Sequence, residues 1–205
     1  LKGHIDKGGY DSGIKAELDR PGYGVSSDFD AFFAHHYGLS KPIVAAINGP
    51  AAGVGLALAC FADIRFSVPK VKLTTAHGKL NLPAEYGLSW LLPRLIGLGR
   101  ANDLLLTSRV FYSEEALSIG LINQIFDPED LIDKTREYLH QMIRTVSPNS
   151  IKQTRRQIYK DLHRGVAVAV EDSEQLLEKM MQEKDYEEGV KAFLDKRKPD
   201  WPSLK

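Results

Sequence analysis

Two stretches of this sequence hold residue types able to do chemistry. The first is Gly53-Val54-Gly55, which follows an apolar run at residues 43–47 and opens a second, Ala- and Leu-rich run that ends near Ala62. Glycine lets backbone come close to a ligand, and the first amides of a helix have no intrahelical acceptor. Such a turn is a donor site for negative charge. It is equally compatible with glycine simply allowing a strand and a helix to pack closely. The second stretch holds His77 and Glu85. Apolar neighbours around a carboxylate disfavour its charged form, and a group so placed can carry a proton at neutral pH. The alternative for Glu85 is an exposed acid at a helix start, favourable to the helix dipole. For His77 the alternative is an exposed loop side chain, and for Asp63 it is a helix end or a partner near Arg65.

The elements that must position these groups follow from pattern. Residues 43–47 are a strand bounded by Pro42 and by Asn48-Gly49-Pro50, and residues 54–62 a helix. Residues 63–68 alternate as a strand, and 71–75 form another. A loop over 76–83 leads to an apolar helix over 84–97, limited or kinked by Pro93. Residues 100–108 read as a helix, 113–120 as a short helix with Ser113 as its N-cap, and 121–126 as a strand. Asp127-Pro128 starts a helix, and helices then run over about 128–145, 148–163, 165–183 and 185–197. Upstream, residues 1–27 read as loop, followed by a helix carrying Phe29, Phe32, Phe33 and Tyr37. Strands alternating with helices, then helices alone, make an α/β core over residues 1–127 with an all-helical region over 128–205.

Composition removes several function classes. Lys plus Arg and Asp plus Glu are equal at 27 each, so no charge excess points to nucleic acid or an anionic membrane. No apolar run reaches membrane-spanning length. Cys60 is the single cysteine and lies inside an apolar helical run, which suits a buried side chain and a reducing compartment. The six histidines lack ligand spacing, and adjacent His35 and His36 do not share one helix face, so no metal site is expected. There is no G-x-S-x-G elbow and no phosphate-binding P-loop, and Gly53-Val54-Gly55 lacks the third glycine of a dinucleotide fingerprint. The basic clusters at Arg155-Arg156 and Lys196-Arg197-Lys198 read as solvated faces.

Residues 41–63 (KPIVAAINGPAAGVGLALACFAD) resemble the signature of the crotonase superfamily, the enoyl-CoA hydratase/isomerase family. Three further blocks agree in order and spacing: residues 82–97 (LPAEYGLSWLLPRLIG), 113–123 (SEEALSIGLIN) and 188–199 (EGVKAFLDKRKP). The resemblance covers nearly the whole chain. It implies a spiral of ββα turns followed by a helical trimerisation region, giving a trimer or a dimer of trimers. It also implies an acyl-CoA thioester substrate, no cofactor beyond that CoA, and a cytoplasmic setting. The shared chemistry is an enolate held by two backbone N–H groups in an oxyanion hole.

One donor maps onto the amide of Val54, flanked by Gly53 and Gly55. The other belongs to a block whose tail Leu1-Lys2-Gly3 resembles, so the chain as written is expected to lack that donor and the family's first strands. The two glutamates that hydratases use fall on Ala57 and His77, so simple hydration is disfavoured. The isomerase acid falls on Glu85. Phe193 and Lys196 match positions that approach the CoA of a neighbouring subunit. The resemblance therefore implies an enoyl-CoA isomerase with Glu85 as proton shuttle. The alternatives are a hydratase of fatty-acid degradation, in which Glu85 or His77 handles water, and a non-catalytic acyl-CoA-binding relative.

Overall fold

The computed structural model describes residues 33–204; the expected loop over 1–27 and the helical positions Phe29 and Phe32 lie outside them. Residues Ala34–Gly38 form a short 3-10 turn. From Ser40 onward the chain is one compact unit.

Strands β1 (Val44–Ile47), β3 (Ile64–Ser67) and β6 (Gln124–Ile125) form a parallel sheet in the order β1-β3-β6, with Val44 opposite Ile64 and Phe66 opposite Gln124. A second sheet joins β2 (Ala51–Ala52), β4 (Lys72–Thr74) and β5 (Phe111–Tyr112). In it β2 runs parallel to β4 and β5 antiparallel. The helices are α1 (Val54–Phe61), α2 (Leu88–Ile96), α3 (Leu98–Thr107), α4 (Ser113–Ser118), α5 (Leu131–Thr145), α6 (Pro148–Asp161), α7 (Val166–Met180) and α8 (Lys184–Leu194). Helix α5 lies on β1 and β3, where Phe66 meets Phe126 and Tyr138 edge-on with ring centroids 5.3 and 5.2 Å apart. Helices α1, α2 and α3 pack in succession, burying Leu56, Leu88, Leu92 and Leu104.

Several elements depart from the pattern-based expectation. Strands β2 and β5 are two residues each, too short for any periodicity to announce them. Helix α2 starts at Leu88 because Tyr86 and Gly87 both take positive φ, 51° and 78°, which no helix accommodates. Ser113 does not cap α4: its hydroxyl accepts the Val71 N–H at 3.1 Å and so ties that helix to the start of β4. Helix α5 starts at Leu131, its first amide donating to Asp127 O at 3.1 Å, so Pro128 sits in the preceding turn. Ser147 does cap α6, accepting from Ser150 N–H at 3.2 Å with Pro148 at the first helical position.

Two buried arginines brace the sheet, Arg65 from within it and Arg155 from the helical region. Arg65 donates to the carbonyls of Leu121 (2.6 Å) and Ala62 (2.5 Å). Arg155, expected on a solvated face, is instead buried against Asp63 at 2.9 Å. Asp63 also accepts from the Ile43 N–H at 2.6 Å and from the Tyr159 hydroxyl. Its partner is therefore α6 rather than the surroundings of Arg65.

Helix α7 contrasts with these. None of its residues is buried, and Val166, Val168, Val170 and Leu177 face outward.

Candidate active site

The β2–α1 turn and the segment after β4 meet through backbone. Gly53 adopts φ 51° and ψ −116°, open to glycine and costly to any L side chain, and its N–H donates to Thr74 O at 3.1 Å. The first bond of α1 runs from Ala57 N–H to Gly53 O at 3.0 Å, so the Val54 amide precedes the intrahelical ladder and has no acceptor among the described residues. Val54 is 37% exposed. A side chain at Gly55 would meet only the Ala51 methyl, at an ordinary 3.8 Å, so packing within the protein does not demand glycine there. The absence of side chain leaves backbone open at the helix start. Ala57 is fully buried on the inner side of α1, as is Cys60, whose thiol burial pushes up to about 12 and leaves inert.

His77 opens a 3-10 turn, His77–Leu80, directly after β4. Its N–H reaches Thr75 O at 2.7 Å, and the turn is flanked by Ala76 and Asn81, both with positive φ. It is buried, 7% exposed, rather than a free loop side chain, and its Nδ1 has no hydrogen-bond partner among the described residues. Ser108 holds this turn in place. Its Oγ accepts Gly78 N–H at 3.0 Å and contacts Thr75 Oγ1 at 3.2 Å, while its carbonyl accepts from Thr74 Oγ1 at 3.1 Å. Sequence reasoning passed over Ser108; its only signal was a polar residue ending a helix.

A Cβ at Gly78 would lie 2.7 Å from Ser108 Oγ. Gly78→Ala must therefore displace a hydroxyl that is already bonded. We expect a loss of about 1–3 kcal/mol in a urea titration, with Gly78→Ala/Ser108→Gly recovering part of it.

Glu85 follows within the same arc, since Leu82 N–H returns to His77 O at 3.0 Å and Glu85 O then accepts Leu88 N–H at 3.0 Å. Glu85 sits before α2 rather than inside its first turn, and Tyr86 beside it is in the left-handed region. Strained non-glycine backbone of this kind persists where surroundings over-determine it, and it clusters at functional sites. The Glu85 side chain is half-buried, not sealed in apolar walls, and has no hydrogen bond or ion pair among the described residues. Backbone bonds thus join Gly53, Thr74, Thr75, His77 and Leu82 in one frame, and Glu85 lies three residues beyond it. No group of His, Cys, Asp and Glu able to hold a metal occurs among the described residues.

Phe193 and Lys196 lie at the other end of the chain, at the close of α8. Phe193 is 83% exposed and lines an apolar groove of about 540 Å³ with Val190, Leu194, Met181 and Trp201. Lys196 has φ 52°, and Arg197 N–H returns to Ala192 O at 3.0 Å. That is a helix ending in which glycine is the favoured residue at the left-handed position. Lys196→Gly should raise stability by about 1 kcal/mol by removing the Cβ clash, read as a shifted denaturant midpoint.

A frame of two small sheets, a glycine-opened helix and a terminal helical region defines a crotonase fold. An enoyl-CoA hydratase/isomerase family model matches residues 11–204, and the chain belongs to that family. It is 33% identical over 177 residues to the 1,2-epoxyphenylacetyl-CoA isomerase of Escherichia coli (strain K12), covering 80% of this chain and 62% of that protein. It is 28% identical over 160 residues to the short-chain-enoyl-CoA hydratase of Clostridium acetobutylicum, covering 78% of this chain and 61% of that protein. Among solved structures, an enoyl-CoA hydratase from Bacillus anthracis superposes with a TM-score of 0.80 at 28% identity, covering 93% of this chain and 72% of that one. The chain therefore spans about three fifths of the length of these two curated relatives. No helix among the described residues is long and apolar enough to cross a membrane.

Proposed function

We propose that this chain acts on an acyl-CoA thioester as an enoyl-CoA double-bond isomerase. The observation that carries the reading is Glu85: a half-buried carboxylate with no hydrogen bond or ion pair among the described residues, next to strained backbone and three residues from the frame that presents the Val54 amide. Ala57 and His77 stand where the family's hydratases have glutamates, which leaves one carboxylate for proton transfer.

In this reading the Val54 N–H donates to the thioester oxygen as one arm of an oxyanion hole. Glu85 removes a proton from C2 of a 3-enoyl thioester, and the C2–H electron pair moves into an extended enolate whose charge rests on that oxygen. The enolate then collapses: its electrons shift to form the C2=C3 bond, and C4 takes the proton back from Glu85. No cofactor beyond the CoA of the substrate is called for. A homotrimer or a dimer of trimers, which would cover the outward-facing valines of α7, and a cytoplasmic setting complete the proposal.

A hydratase reading is favoured by one observation, the buried and unpartnered Nδ1 of His77, which is able to hold a water. Separate incubations with a 3-enoyl-CoA and a 2-enoyl-CoA distinguish the two. Conversion of the first to the second with no change in mass is the expected result. Gain of one water by the 2-enoyl-CoA, with the 3-enoyl-CoA untouched, would overturn it. Binding without turnover across an acyl-CoA panel would point to the non-catalytic relative.

A further inference from the structure

Helix α8 has two unlike faces. Tyr186, Val190, Phe193 and Leu194 form its open apolar stripe. The other face, carrying Asp185, Glu188, Gly189 and Ala192, is covered by the chain's own tail. The Glu188 carboxylate takes both guanidinium nitrogens of Arg197, at 2.6 and 2.9 Å, and the Asp200 N–H at 2.6 Å. Trp201 lies over Gly189, 3.5 Å from where a Cβ would stand. The Asp185 carboxylate accepts the N–H and hydroxyl of Ser203 at 3.0 and 2.6 Å. These contacts form a latch that folds the tail back along α8.

The residue immediately before the latch is Lys196, held at φ 52°. A lysine left to itself would abandon that conformation, because the left-handed region brings its Cβ against the following carbonyl. It stays only while its surroundings fix it. Two backbone bonds of that helix ending, Lys196 N–H to Phe193 O at 3.2 Å and Arg197 N–H to Ala192 O at 3.0 Å, supply part of that constraint, and the Arg197–Glu188 fork adds to it at the adjoining residue. The fork has the bidentate geometry that fixes direction as well as distance. The Arg197 guanidinium and the Asp200 N–H hold the Glu188 carboxyl well below its ordinary range, at about 2, so it stays charged under all ordinary conditions.

We propose that Glu188 is a positioning residue for the CoA-contacting end of α8: through Arg197 and the tail latch it helps hold Lys196 in its left-handed conformation, and so fixes how that exposed lysine is presented. This rests on the reading of Phe193 and Lys196 as CoA contacts. Glu188 itself touches no ligand and acts only by fixing where the lysine charge is presented.

The test is a double-mutant cycle on the chain as it stands, with butyryl-CoA binding measured by calorimetry. Glu188→Gln should weaken binding about fivefold. Lys196→Ala should weaken it at least as much, and Glu188→Gln/Lys196→Ala should bind no worse than Lys196→Ala alone, because the two act in series. Additive losses in the double variant would overturn the proposal, since they mean a general structural effect. So would unchanged binding in Glu188→Gln. If that variant does not fold, Arg197→Gln breaks the same fork from its more exposed side and enters the same cycle with the same expectations. If Phe193→Ala and Lys196→Ala both leave butyryl-CoA affinity intact, the CoA-contact reading itself has failed, and the proposal with it. If those two variants lose affinity and the latch variants do not, only the proposal has failed.

Discussion

Glu85→Gln is expected to lower isomerase turnover by about 10² or more while leaving KM nearly unchanged. The substitution keeps the size and shape of the side chain and removes only its ability to take and return a proton. Glu85 has no hydrogen bond or ion pair among the described residues, so little stability should follow it. We expect a thermal midpoint that moves by no more than about 0.5 kcal/mol equivalent. Loss of rate without loss of fold is the pattern that separates a proton carrier from a structural acid. The same variant should stop exchange of the C2 hydrogen of butyryl-CoA into deuterated water, which reads the proton step without any net reaction. Full activity in Glu85→Gln would sink the assignment and return attention to the buried imidazole of His77.

Arg155→Ala is expected to cost the fold about 3 kcal/mol or more, the range found when one partner of a buried ion pair is removed. The guanidinium is 5% exposed and the Asp63 carboxylate 15%, so water reaches neither freely. What remains after the substitution is a carboxylate that keeps the Ile43 N–H and the Tyr159 hydroxyl but has lost its cation. For a chain of this size that loss corresponds to a midpoint lower by roughly 6–12 °C. Tyr159→Phe is the control: it removes one hydroxyl donor to the same charged carboxylate but leaves the cation, and should cost about 1.5–3 kcal/mol, less than Arg155→Ala. A loss below about 1 kcal/mol for Arg155→Ala would mean that water reaches Asp63 once the guanidinium is gone, so that no uncompensated buried charge is left.

That pair also marks where sequence reading stops. Asp63 and Arg155 lie 92 residues apart, and nothing local distinguishes a buried arginine from its exposed neighbour Arg156. Likewise Ser113 stands where an N-cap belongs, yet its hydroxyl goes to Val71, across a sheet edge that local pattern cannot see. By contrast, β1 and α1 were legible. An apolar run of strand length between proline and Asn-Gly-Pro, followed by glycines and then alanines and leucines, admits few other readings. The four helices from α5 to α8 were legible to within a few residues, since their apolar spacing is sustained over three turns or more.

The candidate site was legible in part. Gly53 and Glu85 stand out by type and setting, but the burial of His77 and the bracing hydroxyl of Ser108 come from tertiary contacts. Two-residue strands and left-handed residues such as Tyr86 carry no periodic signal at all.

The donor on α1 is a main-chain amide, while the side chain at the same residue is one-third exposed. Under the proposed function these are separable properties of one position. Residue 54 is then a place where evolution, or a designer, can change the shape offered to an acyl group without removing the N–H that steadies its oxygen. Under the same proposal a change at Glu85 allows no such freedom, because there the side chain would carry the chemistry. Diversity in acyl preference with constancy of enolate chemistry is the outcome to look for in a library varied at position 54 alone.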